Sequence, residues 1–266
     1  MGFLKRLVIF LFIILVLALL SFYWPNLTGM ASSLSADNKN SEIVKEFGVV
    51  TKIVDGDTIH VKIEGEDEII RLLGINTPEK KKAYYQEAKD FLIMEIENKS
   101  VELLSDGVDI DRYERKLRYV FYENRLINVE LVEQGFATTF MLDSLKFKNK
   151  FVIGEKFARD NQFGLWKKST DKCAFCIKLV ELEPDVDYFI IKNNCDFKCD
   201  LGTWSVKDDA NHFFKLGLLD SGQDRKYDSL EIFKLEAWND NGDRFFMRDE
   251  NGGLVVFWEY KNVIRN

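Results

Sequence analysis

The sequence predicts a mainly β chain of the α+β class, with two globular units after an apolar N-terminal segment. The chain has 266 residues, of which 46% are hydrophobic and 30% charged, so it can form more than one core and is not disordered by composition. The first half alternates β-branched runs with stretches of helical periodicity, whereas the second half contains short β-like runs between turn residues. We place the two units at residues 43–169 and 170–266.

The first segment is set apart by its hydrophobicity. Lys5 and Arg6 precede an unbroken apolar run over residues 7–20, and aromatic residues follow at 22–24. Such a run can cross a bilayer with the basic pair on the cytoplasmic side, while Gly29-Met30-Ala31 offers a signal-peptide cleavage site. Residues 1–30 are therefore predicted to be a transmembrane or signal helix, and residues 31–42 a flexible linker. Both alternatives predict an extracytoplasmic location, and an anchor would make the membrane a partner.

Three β-branched runs open the first globular unit. Residues 47–54 and 58–63 are separated by Asp55-Gly56-Asp57, a turn signal whose glycine can adopt a positive φ. The third run follows at residues 68–73. These runs predict a three-stranded meander, and residues 101–104 and 117–121 are two further strand candidates.

Helical signals follow the meander. Residues 84–97 have the apolar spacing of an amphipathic helix. A short helix is predicted at residues 128–134 and part of a last helix at residues 155–161, ended by Gly135 and near Gly164. Short strands with helices of this kind predict a closed Greek-key barrel of the oligonucleotide-binding (OB) type.

Charged side chains lie where the predicted strands end. Asp57 follows the first turn, Glu79 follows the third strand, Arg71 lies within that strand, and Arg115 precedes the fifth. Two carboxylates suit a hard divalent cation, and two guanidiniums suit a phosphodiester. The net charge of -7 argues against non-specific coating of nucleic acid, so the phosphate site must be local. The set predicts metal-assisted phosphodiester hydrolysis, in which a carboxylate takes a proton from the attacking water.

Three ordered segments carry a family resemblance. Val-Asp-Gly-Asp-Thr at residues 54–58, Arg-Leu-Leu-Gly-Ile-Asn-Thr-Pro-Glu at residues 71–79 and Asp-Arg-Tyr-Glu-Arg at residues 111–115 resemble the signature segments of the staphylococcal nuclease (thermonuclease) family. The resemblance covers residues 46–169. It implies a five-stranded OB barrel with three helices and a calcium-dependent endonuclease that acts on DNA and RNA. We expect a monomer.

The resemblance also implies a role for each matching residue. Calcium would be bound by Asp57, by the backbone carbonyl of Thr77 and by Asn76, which stands where the family has an aspartate. Glu79 would be the general base, and Arg71 and Arg115 would bind the scissile phosphate. The candidates for further substrate contacts are Tyr113, Arg112, Lys80 and Lys81. The alternative is a catalytically weak or inactive nuclease fold that binds nucleic acid or protein at the cell surface, which Asn76 favours.

The second unit has a different pattern. Seven short runs separated by turn residues predict an antiparallel β-sandwich; they lie at residues 177–182, 188–192, 202–207, 213–218, 230–235, 244–248 and 254–259. The stretches at residues 188–194, 201–208 and 238–243 resemble the lamin tail domain over residues 176–260. This resemblance implies an immunoglobulin-like fold and an attachment module, whose ligand is unknown.

Four cysteines lie close to the start of the second unit. Cys173, Cys176, Cys195 and Cys199 have spacings that suit a tetrahedral Zn²⁺ site. An exported domain, however, favours disulfides. We predict two disulfides rather than zinc, and pairing of Cys173 with Cys199 and of Cys176 with Cys195 would suit antiparallel neighbours.

Overall fold

A closed five-stranded barrel forms the first part of the molecule. The computed structural model describes residues 44–140 and 144–261, so the predicted N-terminal helix and linker at residues 1–42 lie outside the described residues. The strands of this part are β1 (Lys45–Ile53), β2 (Thr58–Ile63), β3 (Glu66–Leu72), β4 (Ile75–Asn76), β5 (Ser100–Leu104), β6 (Lys116–Tyr122), β7 (Arg125–Leu126) and β8 (Thr138–Thr139). Antiparallel pairs join β3, β2, β1, β5 and β6 in that order, and parallel pairing of β3 with β6 closes the barrel. The predicted barrel is confirmed.

Alternation of side chains along the strands fills the barrel. Ile59 and Val61 of β2 and Ile70 of β3 are fully buried, because successive side chains of a strand point to opposite faces. Burial of each such side chain contributes about 1.5–3 kcal/mol. Gly56, in the turn between β1 and β2, is not among the residues with positive φ. Its role is close packing, since a Cβ there would lie 2.6 Å from the Cβ of Ala88.

Three helices pack against the barrel, as predicted. They are α1 (Tyr85–Ile96), α2 (Ile127–Glu133) and α3 (Lys148–Asp160). Helix α1 buries Ala88, Leu92 and Ile96, which are four residues apart and therefore lie on one face. The third helix contains most of the part predicted at residues 155–161 and begins at Lys148, where no side-chain cap marks its start. Within the described residues, we find no helix with the length and hydrophobicity that crossing a membrane requires.

Two antiparallel sheets dominate the second part. Its strands are β9 (Ile177–Glu183), β10 (Tyr188–Asn193), β11 (Cys199–Asp200), β12 (Ser205–Lys207), β13 (Phe213–Lys215), β14 (Leu218–Leu219), β15 (Asp224–Asp228), β16 (Gly242–Arg248) and β17 (Leu254–Lys261). One sheet has the order β15-β10-β9 and the other β13-β12-β16-β17. The ring of Phe189 in the first sheet lies 5.0 Å from that of Phe214 and 5.2 Å from that of Phe245 in the second. The two sheets therefore share one aromatic core.

One predicted strand of this part is wrong. Residues 230–235 were expected to extend, but Ser229–Phe233 forms a short helix, α4. The side chain of Asp228 accepts a hydrogen bond from the backbone N–H of Glu231 and so caps the helix, and Lys234 ends it in a left-handed conformation. The strand in this region is β15. Its sequence is mostly charged and only Tyr227 is buried, so no run of apolar or β-branched residues indicated it.

Both predicted disulfides are present. Cys173 pairs with Cys199 and Cys176 with Cys195. They join the segment just before β9 to Cys195, which lies between β10 and β11, and to Cys199, the first residue of β11. All four sulfurs are used in these bonds, so the cysteines do not fit the zinc alternative, which requires thiolates.

Charged and aromatic contacts join the two parts. All described residues belong to one compact unit. Arg244 of β16 is buried against Glu155 of α3, with Nη1 to Oε1 at 2.8 Å, and Trp166 packs against Phe246. At Gly252 a Cβ would lie 2.3 Å from the Cβ of Ala83. The turn between β16 and β17 therefore rests directly on the loop before α1.

Candidate active site

The carboxylate of Asp57 is the centre of the candidate site. It lies just before β2, where Thr58 is paired in register with Arg71 of β3, so the barrel itself brings these residues together. Asp57 Oδ2 accepts hydrogen bonds from the backbone N–H and the hydroxyl of Thr77, at 3.1 and 2.8 Å, and forms an ion pair with Arg71 Nη2 at 3.2 Å. The side chain is almost fully buried, which strengthens these contacts.

Arg115 joins this cluster through a hydroxyl. Its guanidinium is held by the Asp111 carboxylate, with Nε to Oδ2 at 2.8 Å, and Nη1 donates to Thr58 Oγ1 at 3.2 Å. The Thr58 hydroxyl in turn lies 3.1 Å from Asp57 Oδ1. Both predicted arginines therefore reach the same carboxylate. No role for Thr58 is predicted from the sequence. The available signal is its position next to Asp57 in the signature segment at residues 54–58.

The guanidinium of Arg71 is held by backbone carbonyls. Arg71 Nη1 donates to the carbonyl of Leu72 at 2.6 Å, and Nη2 donates to that of Ile75 at 2.8 Å. These bonds hold the guanidinium at the end of β3 before any ligand is present, because the acceptors belong to the barrel framework. Such preorganisation lowers the entropic cost of binding an anion.

Two aspartates share the turn between β1 and β2. Asp55 Oδ1 accepts a hydrogen bond from the backbone N–H of Asp57 at 3.0 Å. Burial and the adjacent negative charge of Asp57 raise the pKa of Asp55. A bound cation would relieve the repulsion between the two carboxylates. Asp55, Asp57, Asn76 and Thr77 all offer oxygen atoms as metal ligands. The residues present therefore fit a hard divalent cation.

A residue of the second part reaches the remaining site residues. Asn211, in the loop between β12 and β13, places its Nδ2 3.4 Å from Asn76 Oδ1 and 3.4 Å from Glu79 Oε1. Asn76 Nδ2 donates to the backbone carbonyl of Asp209 at 3.1 Å. Glu79 is otherwise exposed. Asn211 was missed because it is more than 130 positions away along the chain, and no local motif marks it.

The four predicted substrate contacts lie around this cluster. Tyr113 is 63% exposed, and its ring lies 4.8 Å from Arg112 Cζ and 5.3 Å from Arg115 Cζ. An exposed aromatic ring beside two cations can stack on a base while the cations face phosphate. Lys80 and Lys81 are both exposed in the loop after Glu79, and Lys81 also lines a cavity against the second part.

Comparison with known proteins points to the same region of the chain. A family model described as staphylococcal nuclease homologue matches residues 69–168. An uncharacterized protein of Methanocaldococcus jannaschii is 35% identical over 153 residues, 47% of this chain and 73% of that protein. The thermonuclease of Staphylococcus intermedius is 30% identical over 136 residues, 48% of this chain and 81% of that protein. The thermonuclease of Staphylococcus hyicus is 29% identical over 161 residues, 58% of this chain and 93% of that protein.

Proposed function

The chain belongs to the staphylococcal nuclease family and is a nuclease that hydrolyses phosphodiester bonds; from this premise we propose a calcium-dependent enzyme that cleaves DNA, RNA or both outside the cytoplasm. The observation that carries the proposal is the continuous set of contacts from Arg115 through Thr58 to Asp57 and on to Arg71. It concentrates two cations and a carboxylate at one end of the barrel. Such a set suits a phosphodiester and the extra charge of its transition state.

Each residue has a distinct role in this proposal. Arg71 and Arg115 bind the oxygens of the scissile phosphate. The Glu79 carboxylate takes the proton of the attacking water while the new P–O bond forms and the ester P–O bond breaks. Asp57, the Thr77 carbonyl and the Asn76 amide would hold calcium, with Asp55 nearby, and the bound ion would neutralise charge on the phosphate.

Two further features support an extracytoplasmic location and an attached module. Disulfides persist in oxidising compartments, and two join the segment just before β9 to the chain after β10. The shared aromatic core of the two sheets is compatible with a lamin-tail-like, immunoglobulin-like sandwich over residues 176–260. In this proposal the second part attaches the nuclease to a ligand yet to be identified.

A cleavage assay tests the enzymatic proposal. Single-stranded DNA and RNA are incubated with the purified chain, with calcium or with a chelator. Glu79→Gln is assayed in parallel with a matched surface control, Glu66→Gln, at an exposed position of β3. We expect calcium-dependent cleavage, a loss of 100-fold or more in Glu79→Gln, as is typical of a missing general base (about 10²–10⁴-fold), and no change in Glu66→Gln. Equal cleavage by Glu79→Gln and the unmodified chain would remove Glu79 from the mechanism.

Asn76 favours a second candidate function. An amide brings no charge to the cation, and calcium affinity depends on the number of charged ligands. A weakly active or inactive fold that binds nucleic acid or protein would retain affinity without cleavage. Absence of cleavage with every divalent ion tested, together with nucleic-acid binding and recovery of calcium-dependent cleavage in Asn76→Asp, would select this candidate.

A further inference from the structure

A cavity lies between the candidate active site and the second part. Its volume is about 370 Å³, and its walls include Thr77 and Lys81 from the barrel side and Lys207, Phe213 and Arg248 from the sheet β13-β12-β16-β17. Small-molecule sites have volumes of roughly 300–1,000 Å³, so the cavity has room for a ligand of about the size of one nucleotide. Because Thr77 lines the cavity and also contacts Asp57, the cavity adjoins the candidate active site.

Among the described residues that line the cavity, the charged side chains are mostly basic. Five lining side chains are basic and two are acidic; the basic ones are Lys81, Lys82, Lys207, Lys215 and Arg248, and the acidic ones are Asp249 and Glu250. Asp249 is already engaged by the Ser169 hydroxyl and by the backbone N–H groups of Asn251 and Gly253. The net charge of the lining therefore favours an anionic ligand.

Arg248 is the strongest single indication of an anion. It is 9% exposed, and its Nη1 donates to the backbone carbonyls of Leu165 and Gly252. Its Nη2 is buried and has no hydrogen-bond partner among the described residues. Arg244, on the same strand, is equally buried but is paired with Glu155 and Asp209. A buried guanidinium without an ion-paired carboxylate is costly, and an anion in the cavity that Arg248 lines would balance its charge.

Lys207 connects the cavity to the catalytic residues. Its Nζ donates to Asn211 Oδ1 at 2.8 Å, and Asn211 Nδ2 contacts Glu79 at 3.4 Å. Phe213 adds an apolar wall and lies 4.1 Å from Lys82 Nζ. Cationic groups beside aromatic surface are the usual elements of single-stranded nucleic-acid binding.

We propose that this cavity is a nucleotide subsite of the nuclease, in which Arg248 and Lys207 bind a phosphate of a single-stranded substrate one nucleotide away from the cleaved bond. The subsite rests on the proposed function, and it gives the second part a direct role in binding the substrate.

Binding of a nucleoside 5′-monophosphate to the full chain, measured by calorimetry in the presence of a chelator, tests the subsite. We expect binding to weaken about tenfold or more in Arg248→Gln, as for loss of a charge-assisted hydrogen bond, and roughly threefold in Lys215→Gln on the rim. Lys178→Gln, at an exposed position of β9 in the other sheet, is the matched control and should bind normally. Lys215→Gln keeps the test valid if Arg248→Gln does not fold.

Four comparisons decide the outcome. Binding that is lost in Arg115→Gln but retained in Arg248→Gln and Lys215→Gln would assign the nucleotide to the arginine cluster and overturn the subsite. Inorganic phosphate that binds as tightly as the nucleotide would also overturn it, because the cavity would then be a simple anion site.

In cleavage assays, Lys215→Gln should raise KM for single-stranded DNA without lowering kcat. If the unmodified chain cleaves nothing, the enzymatic proposal is rejected. If the cavity variants of that chain nevertheless lose nucleotide binding, the subsite is still supported.

Discussion

The guanidinium of Arg244 and the carboxylate of Glu155 form a buried ion pair, with Nη1 to Oε1 at 2.8 Å, across the junction between the sheets and the barrel. Arg244 also contacts Thr139 of β8, and β8 pairs with β4, which carries Asn76. Glu155 in addition accepts a hydrogen bond from the Thr139 backbone N–H at 2.8 Å. One arginine of the second part therefore supports the strand that carries a predicted metal ligand.

Replacement of Arg244 by alanine is expected to destabilise the protein by about 3–5 kcal/mol, because it leaves the Glu155 carboxylate buried without its partner. Urea unfolding of the purified variant measures the change. Arg125→Ala is the control, since Arg125 is 40% exposed and pairs with Glu95 and Glu130 at the surface, where ion pairs contribute at most about 1 kcal/mol. Equal losses in the two variants would contradict a stabilising junction.

Much of the barrel and part of the site follow from local sequence. The β-branched runs of strands β1–β3 predicted these strands, and Asp57 and Arg71 lie in short segments whose resemblance to the family's signature segments implied their roles. Arg244, Arg248 and Asn211 carry no such signal. Their importance arises only when the second part folds onto the barrel, and charged residues at ordinary strand and loop positions are most often solvated.

Asn211 is a positioning residue whose amide should favour activity. Asn211→Asp places a second carboxylate where the amide lies 3.4 Å from Glu79, and repulsion between two charges at this distance is worth about 1 kcal/mol or more. We expect kcat to fall about tenfold with little change in KM. Asn211→Gly removes the amide but tolerates the left-handed φ of 68°, and it should lose less activity than Asn211→Asp.

The matched control for Asn211 is Asn124→Asp. Asn124 also has a positive φ, of 64°, and lies exposed in the turn before β7. Its kcat should be unchanged. Comparable losses in Asn124→Asp, or full activity in Asn211→Asp, would mean that the contact with Glu79 does not influence cleavage.

The disulfides should stabilise the second part without shaping the active site. They close loops with sequence separations of 26 and 19 residues, for which loop-closure entropy predicts about 3 kcal/mol each. Paired replacement of Cys176 and Cys195 by alanine should lower the Tm by about 10 °C and leave cleavage at low temperature intact. Reduction of the unmodified chain with dithiothreitol should lower the Tm as well. An unchanged Tm in both experiments would show that the bonds contribute nothing to stability.

Nucleotide binding in the cavity should depend on the protonation of Lys207. Burial lowers the pKa of Lys207 to about 8, so its ammonium is charged at pH 7 and is largely lost by pH 9. The charged groups that act on it are Asp209, Arg248, Arg244 and Asp208, and the other basic groups of the lining are Lys81, Lys82 and Lys215. The phosphate of a nucleotide is a dianion throughout this range, because its second pKa is about 6.

Affinity for the nucleotide is therefore expected to fall roughly threefold to tenfold between pH 7 and pH 9, as one favourable charge is removed. Lys207→Arg retains its charge over this range, because a guanidinium has a pKa above 12 in its ordinary state, and its binding should be nearly independent of pH. Calorimetric titrations at both pH values measure the two profiles. A decline of the same size in Lys207→Arg would assign the pH dependence to another group and remove Lys207 from the phosphate site.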